Sequence, residues 1–319
     1  MTDNRPHTDF DEHDGPPEFE IPDFDPRRTR RAIRRGILRT SLVTAAILLV
    51  ITLAATLGLR APHLRGDREQ RMRDVLGTAL AIANPAYRIR LGAIEASPLT
   101  LSLEVGATPI RATGTFGTDA AFGDRREEIR QDLFGRVARV PLGHATETPL
   151  SYALYDLGTG NRPKERMRAV LARLPEAMNA LVVVEFATPL DAPGLADFAR
   201  RYGSCPELVV YERRPRATPI TWGGRMTPST SEPRSGACHE LVPHELENFR
   251  RWTASLREHD DANLRRFGLD LSRLRAAATA GKVYGYVDRT VSVAQVRKML
   301  DDPSVATVRV VDVSFDLEL

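Results

Sequence analysis

An uncharged stretch near the N-terminus constrains this 319-residue chain more than any other feature. It runs from Thr40 to Leu59, TSLVTAAILLVITLAATLGL, and arginines border it on both sides. As a helix, this stretch extends about 30 Å, which matches the hydrocarbon thickness of a bilayer. We therefore predict a single membrane crossing. A buried helix of a soluble protein and a cleaved signal peptide are the alternatives, and the 39-residue polar segment that comes first argues against the signal peptide.

Arginines flank the predicted span unequally, and the inequality predicts its orientation. Seven arginines lie within residues 27–39, whereas five follow the span within residues 60–73. Because cytoplasmic flanks carry the basic excess, residues 1–39 are predicted to be cytoplasmic and residues 60–319 extracytoplasmic in a cell membrane. The basic block adjoins lipid headgroups, so we expect a membrane partner and no nucleic acid. The membrane-flanking residues are Arg34, Arg35, Arg39 and Arg60.

The cytoplasmic tail begins with an acidic leader. Residues 1–26 hold nine Asp and Glu against one arginine and show no apolar period, which predicts disorder. Within PPEFEIPDFDP, residues 16–26, three apolar side chains alternate with acids: Phe19, Ile21 and Phe24. This alternation is typical of a short linear motif that docks on a basic, grooved partner. A solvated leader without a partner is the alternative.

Residues 60–174 are predicted to be a membrane-proximal α+β region. Its apolar periods and turn residues indicate several short elements. We predict a helix over Asp67–Ile82, strands over Tyr87–Leu91, Leu99–Glu104 and Ile110–Thr115, a charged helix over 123–136, strands over Val137–Leu142 and Leu150–Tyr155, and an amphipathic helix over 162–178. His144 and Ser151 have no catalytic partner at a diagnostic spacing.

Residues 175–319 contain two β-α-β patterns about a hundred residues apart. The first has strands Leu181–Phe186 and Leu208–Tyr211 around a helix that begins at Asp191 and ends near Gly203. The second has strands Lys282–Asp288 and Val305–Val313 around a helix that Ser292 and Gln295 cap.

The two patterns align without a gap, and the alignment indicates duplication. The aligned pairs are Asp191 with Ser292, Leu195 with Val296, Phe198 with Met299 and Leu208 with Arg309. Neither unit can close a core alone, so we predict a split β-α-β, ferredoxin-like sandwich within an α+β fold. Coincidence between two ordinary α/β segments is the alternative.

A long insertion, 212–243, separates the two units, and two cysteines bracket it. It is rich in Pro, Gly, Ser and Thr and too long for an ordinary connection. Since both cysteines follow the span, Cys205 and Cys238 are predicted to form a disulfide, worth roughly 3–4 kcal/mol. A metal site that includes His239 and His244 is the alternative, but no C-x-x-C pair supports it.

The repeat region resembles the C-terminal domain of the sigma factor regulator family. The resemblance covers about residues 175–315 and is carried by Val182–Phe186 with Thr188, by Phe249 and Leu256, by Tyr284-Gly285-Tyr286-Val287, and by Leu300 and Pro303. It implies a single-pass bacterial membrane protein linked to an extracytoplasmic-function sigma factor. Zinc-containing anti-sigma domains need cysteine ligands, and residues 1–39 have His7 and His13 but no cysteine. A sigma-factor contact would therefore rest on the short tail.

Two functions follow as hypotheses. The first is a membrane-anchored, anti-sigma-like regulator whose exterior domain binds a signal or an envelope partner. The second is an extracytoplasmic structural or interaction module with no sigma-factor role. We expect neither an enzyme nor a cofactor, because no metal triad, phosphate loop or nucleophile elbow is present. The sequence leaves the oligomeric state open, a homo-oligomer included.

Overall fold

The computed structural model describes residues 26–64, 67–97, 99–112, 125–142, 148–160, 163–223 and 238–315. The chain divides into two units, Met1–Gly58 and Leu59–Leu319.

The first unit is dominated by one long helix. Helix α1, Pro26–Leu64, has 39 residues and contains the whole uncharged stretch Thr40–Leu59. Its segment Gly36–Leu53 has a mean hydropathy of 2.0 and no buried residues, so it is long and apolar enough to cross a membrane. The hydroxyls of Thr40, Thr44 and Thr52 donate to the carbonyls four residues earlier, at 2.6–2.9 Å. These bonds satisfy polar groups that lipid could not.

The second unit begins with a helical segment that packs on an antiparallel sheet. The segment comprises α2, Asp67–Arg71, a π-helix, Met72–Gly77, and α3, Thr78–Ala83, as predicted for Asp67–Ile82. A Cβ on Gly77 would lie 2.5 Å from Leu91 Cδ1, so the glycine permits the close approach of this segment to the sheet. The sheet has the order β1-β2-β3-β4: Tyr87–Ala96, Thr100–Pro109, Arg125–Asp132 and Val137–Arg139.

Strand β3 corrects the helix predicted over 123–136. Its neighbour β2 buries Leu101 and Leu103, and Ile129 of β3 pairs with Leu103 and is also fully buried. Within β3, exposed Arg130 lies between buried Ile129 and buried Gln131, which is the alternation of a strand. Pairing with β2 therefore outweighs the local helical tendency of the Arg-Glu run.

One other strand prediction in this region was wrong, and the described part of another is not a strand. Pro149–Tyr155 is helix α4 rather than the strand predicted over Leu150–Tyr155, because Thr148 caps it and accepts from the Ser151 amide at 3.1 Å. Residues 110–112 of the third predicted strand are irregular, and the rest of that prediction lies outside the described residues. The amphipathic helix predicted over 162–178 is shorter, α5, Lys164–Leu171.

The second sheet carries both β-α-β units. Its order is β7-β6-β8-β5-β9, and every neighbouring pair is antiparallel. The strands are β5, Asn179–Leu190, β6, Leu208–Glu212, β7, Ile220–Trp222, β8, Val283–Ser292, and β9, Val305–Ser314. The four predicted strands are confirmed, and β7 adds a fifth at the edge next to β6.

The helices of the two β-α-β patterns begin at the predicted caps, and the first also ends at the predicted glycine. Helix α6, Ala192–Tyr202, is capped by Asp191 and ends at Gly203, whose φ is 61°. After α7, Cys238–Ser255, α8, Asp261–Arg266, and α9, Leu271–Ala280, comes α10, Val293–Asp301, which Ser292 and Gln295 cap reciprocally. The aligned apolar residues of α6 and α10 are all buried: Leu195, Phe198, Val296 and Met299.

One hydrophobic core joins both sheets. Its aromatic part stacks Tyr211 on Phe249 and packs Trp222 between Phe249 and Trp252. Trp252 Nε1 donates to the carbonyl of Asp74 at 2.8 Å, which ties α7 to the π-helix. The predicted boundary after residue 174 stays a prediction.

Candidate functional site

The structure describes part of the predicted membrane flank and none of the predicted docking motif. Arg34 and Arg39 are exposed on α1. Arg35 and Arg60 also lie in α1, but their side chains fall outside the described residues. The whole docking motif, Phe19, Ile21 and Phe24, lies outside the described residues, as does His144.

The two cysteines follow α6 and begin α7, helices that pack against each other. Cys205 is not a free thiol. The side chains of Cys238 and His239 lie outside the described residues, so the disulfide and its metal alternative both stay predictions. Among the side chains that the structure describes, no three His, Cys, Asp or Glu residues converge on one point.

A buried aspartate holds the loop that carries Cys205. Asp288 is fully buried, and its carboxylate accepts from Ser204 Oγ and from the Cys205 amide, each at 2.6 Å. It also accepts from the amide and hydroxyl of Thr290 at 2.8 and 2.9 Å. Because these donors satisfy both oxygens, the carboxylate fixes the loop and has no capacity left for a ligand.

The strongest candidate site is a cleft of about 510 Å³ in the second unit. Five parts of the chain form it: residues 83–87 from the end of α3 to the start of β1, Val140 after β4, helix α4, the connection 214–219 between β6 and β7, and residues 266–269 at the end of α8. We call it the arginine cleft, after its three charged residues, Arg214, Arg216 and Arg266. Of the residues that the structure describes, no Asp or Glu lines it.

The three arginines differ in how firmly they are held. Arg214 donates to the carbonyl of Gly268 at 3.0 Å. Burial lowers the pKa of its guanidinium, and the charge of Arg273 lowers that pKa further, so the group would gain from a nearby anion. Arg216 and Arg266 are exposed, and neither side chain has a hydrogen bond or ion pair with any other described residue. Arg216 also has a positive φ of 61°.

The remaining walls of the cleft are apolar and aromatic. Leu154, Phe267 and Leu269 are buried at its base, and Tyr87 is 6% exposed. Tyr152 has 59% of its surface exposed at the rim. A cavity with apolar walls and a few convergent polar groups is the usual form of a small-ligand site.

One buried carboxylate connects two walls of the arginine cleft. Glu185 Oε1 accepts from the Gly158 amide, just after α4, at 2.9 Å, and from Arg213, next to Arg214, at 3.1 Å. Arg213 also lies over the ring of Tyr284, 4.9 Å from its centroid. The other oxygen of Glu185 pairs with Arg309 at 2.9 Å. The positions of α4 and of the segment that carries the arginines are therefore set by the same residue.

Other concave surfaces are poorer candidates. A groove on the first sheet is lined by both signs of charge, with Glu95, Glu104, Glu127 and Glu128 beside Arg126 and Arg139. The four carboxylates outnumber the two arginines, and Ala93 is the one apolar residue among the described residues that line the groove. The groove therefore lacks the apolar walls of a typical small-ligand site.

Sequence reasoning did not find the arginine cleft. Its arginines come from two segments about fifty residues apart, and no motif links them. The one local signal was RRPRATP, residues 213–219, a basic run with two prolines between two strands, which lies in a segment interpreted only as a flexible or functional loop.

Comparison with known proteins adds no further assignment. No protein-family model matches the chain, and no curated protein or solved structure is significantly similar to it. The resemblance to the sigma factor regulator family therefore remains a hypothesis.

Proposed function

We propose that this protein is a single-pass membrane regulator, whose exterior domain binds a signal and whose cytoplasmic tail contacts a sigma factor. The observation that carries the proposal is helix α1, which holds an unburied apolar segment of 18 residues, Gly36–Leu53. A compact α+β unit with its own core and a ligand-sized cleft follows this segment in the chain. An anchor followed by a domain with a binding cleft is the layout of a receptor.

The orientation is part of the proposal and rests on charge. Arg34 and Arg39 are exposed on the N-terminal side of the span, where the arginines are densest. The basic excess favours a cytoplasmic N-terminus. The oxidising exterior would then surround Cys205 and Cys238, as a disulfide requires.

The ferredoxin-like duplication is likewise proposed, and the second sheet supports it. Read in chain order, the four strands of the two units are β5, β6, β8 and β9, and they lie in the spatial order β9-β5-β8-β6. This is the strand order of a split β-α-β fold, in which each β-α-β unit contributes one central strand and one edge strand to the four-stranded sheet. Matching caps at Asp191 and Ser292 add local support.

The sigma-factor role rests on the family resemblance and on the tail. Phe19, Ile21 and Phe24 supply apolar contacts between acids, a composition suited to a basic groove. The test replaces all three by alanine in full-length protein and measures both the sigma factor that co-purifies and sigma-dependent transcription. We expect at least a ~10-fold loss of co-purification and a change in transcription.

Phe10→Ala in the same acidic leader is the matched control and should change neither readout. If the triple variant also leaves both unchanged, the regulatory proposal fails, and a structural module of the cell envelope takes its place. A C-terminal alkaline phosphatase fusion tests the orientation separately, since it is active only outside the cytoplasm.

A further inference from the structure

We propose that the arginine cleft binds a small ligand that has an apolar body and a negatively charged carboxylate or phosphate group. The inference deepens the proposed function, because it names the chemical class of the signal and rests on that function for its biological meaning. Binding itself is a property of the cleft and can be tested without the sigma factor.

Charge is the first argument. Arg214, Arg216 and Arg266 bring three positive charges to one cleft, and no described carboxylate lines it. Elsewhere on this unit, arginines commonly pair with acids, as Arg71 does with Asp260. The charges of Glu212 and Asp270, which do not line the cleft, act on Arg214. Guanidinium groups that converge in a cleft match carboxylate and phosphate oxygens, since their planar forks can donate to both oxygens at once.

Shape is the second argument. The cleft encloses about 510 Å³, within the range of roughly 300–1,000 Å³ typical of small-molecule sites. The buried Leu154, Phe267 and Leu269 would receive an apolar group, and Tyr152 stands at the rim. Ser151 also lines the cleft, and its Oγ lies 2.6 Å from Oγ1 of Thr148. A ligand that fits must therefore carry both an anionic end and an apolar body.

Rigidity is the third argument. Arg214 is anchored to Gly268, and Glu185 fixes the adjoining Arg213 and Gly158. The backbone of Arg216 has a φ of 61°, which an arginine adopts at an energetic cost, but its side chain and that of Arg266 are exposed. The preorganised charge is therefore that of Arg214, which loses less conformational entropy when the ligand arrives.

The test uses the full-length protein in lipid nanodiscs and three small probes. Phenylacetate and phenyl phosphate carry the same ring with different anions, and phenylacetamide is the neutral analogue of the first. Titration calorimetry should show saturable binding of at least one anion below about 10 mM, and at least ~10-fold weaker binding of phenylacetamide. The comparison of the two anions tells which group the cleft prefers.

Two double variants locate the binding. Arg216→Gln with Arg266→Gln should weaken anion binding at least ~10-fold, because two positive charges and two bidentate guanidinium forks are lost while polar side chains remain. Arg166→Gln with Arg173→Gln removes the same charge from exposed positions away from the cleft, and binding should stay within about twofold. Tryptophan fluorescence checks that both variants remain folded, since Trp222 and Trp252 lie in the core.

Four results would overturn the inference: no saturable binding of either anion, equal binding of phenylacetamide, unchanged binding in the cleft variant, or an equal loss in the control variant. None of them affects the tail experiment. Conversely, anion binding at the cleft with no effect of the tail variant on transcription would support this inference and refute the regulatory proposal.

Discussion

Glu185 on β5 and Arg309 on β9 form an ion pair inside the second unit, with 2.9 Å between Oε2 and Nη2. The two side chains are 6% and 1% exposed. Arg309 also donates to the carbonyl of Asp156 at 3.1 Å, so the pair joins the sheet to the end of α4. Nε and Nη1 of Arg309 are buried without a hydrogen-bond partner among the described residues. Loss of Glu185 would therefore leave a buried cation with little compensation.

Glu185→Leu is expected to lower the free energy of unfolding by about 3–5 kcal/mol, because it strands the charge of Arg309 in the interior. The double variant Glu185→Leu with Arg309→Leu should lose less than the single one, since both buried charges are gone. Urea unfolding followed by tryptophan fluorescence measures both values. Glu165→Gln, which breaks an exposed pair with Arg168, is the control and should cost under about 1 kcal/mol. A double variant less stable than the single one would contradict the argument.

The second sheet was predictable from the sequence because its signals are local. Leu181–Phe186 is a continuous apolar run apart from one glutamate. The helix ends are marked by single residues and their immediate neighbours: Asp191 and Ser292 at the N-termini and Gly203 at a C-terminus. The prediction of β3 failed for the opposite reason. Its strand period depends on Ile129 facing Leu103 of β2, a partner that the local Arg-Glu run does not reveal.

The candidate site was not predictable, because it depends on contacts between distant residues. Glu185 and Arg309 are 124 positions apart, and the sequence gives no reason to pair them. Arg214 and Arg266 likewise meet only after β6, α8 and the segment before β1 have packed together. Sequence patterns specify caps and periods, whereas convergence of isolated charges requires the tertiary structure.

Gly285→Ala tests a close approach of strands in the centre of the second sheet. A Cβ at this position would overlap the carbonyl oxygen of Val184, which belongs to the backbone of β5 and cannot rotate away. We expect a loss of about 1–3 kcal/mol in unfolding free energy from the resulting shift of the strands. Gly106→Ala on β2 is the control, since a Cβ there lies 3.8 Å from Arg90 Cβ, an ordinary contact. Equal effects of the two substitutions on the urea midpoint would refute the steric explanation.

The carboxylate of Asp302 is expected to make the folded protein less stable in acid. Burial would raise the pKa of its carboxyl, but hydrogen bonds from Ser304 and Tyr202 and the charge of Arg201 bring that pKa below its ordinary value. The group therefore stabilises the fold above the unfolded-state pKa of about 3.9, and this contribution disappears as the pH falls through the lower folded-state pKa. Asp302→Asn should reduce the unfolding free energy at pH 7 by about 1–3 kcal/mol.

The difference between Asp302→Asn and the unsubstituted protein should shrink as the pH is lowered below about 4, where the carboxyl of the unfolded chain is protonated. Urea unfolding at a series of pH values measures it. Asp301→Asn is the matched control, because the Asp301 side chain is 68% exposed and, among the described residues, forms an ion pair only with Arg168. This substitution should matter little at any pH. A constant difference across the acid range would show that Asp302 acts through something other than its charge.

The predicted disulfide has a direct chemical test. If Cys205 and Cys238 are joined, the protein unfolded without reductant contains no thiol that reacts with an alkylating agent. Cys205→Ser with Cys238→Ser should then lower the unfolding free energy by about 3–4 kcal/mol, since the loop of roughly 34 residues is no longer closed in the unfolded chain. Two reactive thiols would exclude the disulfide, and stoichiometric zinc released on alkylation would favour the metal alternative.

Substitutions at the two aligned helix caps test the proposed duplication of the β-α-β unit. Asp191 accepts from the Gly194 amide at 2.8 Å, and Ser292 accepts from the Gln295 amide at 3.3 Å, each three residues into its helix. Asp191→Ala and Ser292→Ala should each cost about 1 kcal/mol of unfolding free energy. The cap-preserving changes Asp191→Asn and Ser292→Asp should cost only a few tenths. If one alanine variant is neutral while the other is strongly destabilised, the two helices do not have equivalent roles, and the alignment that suggested duplication loses its structural support.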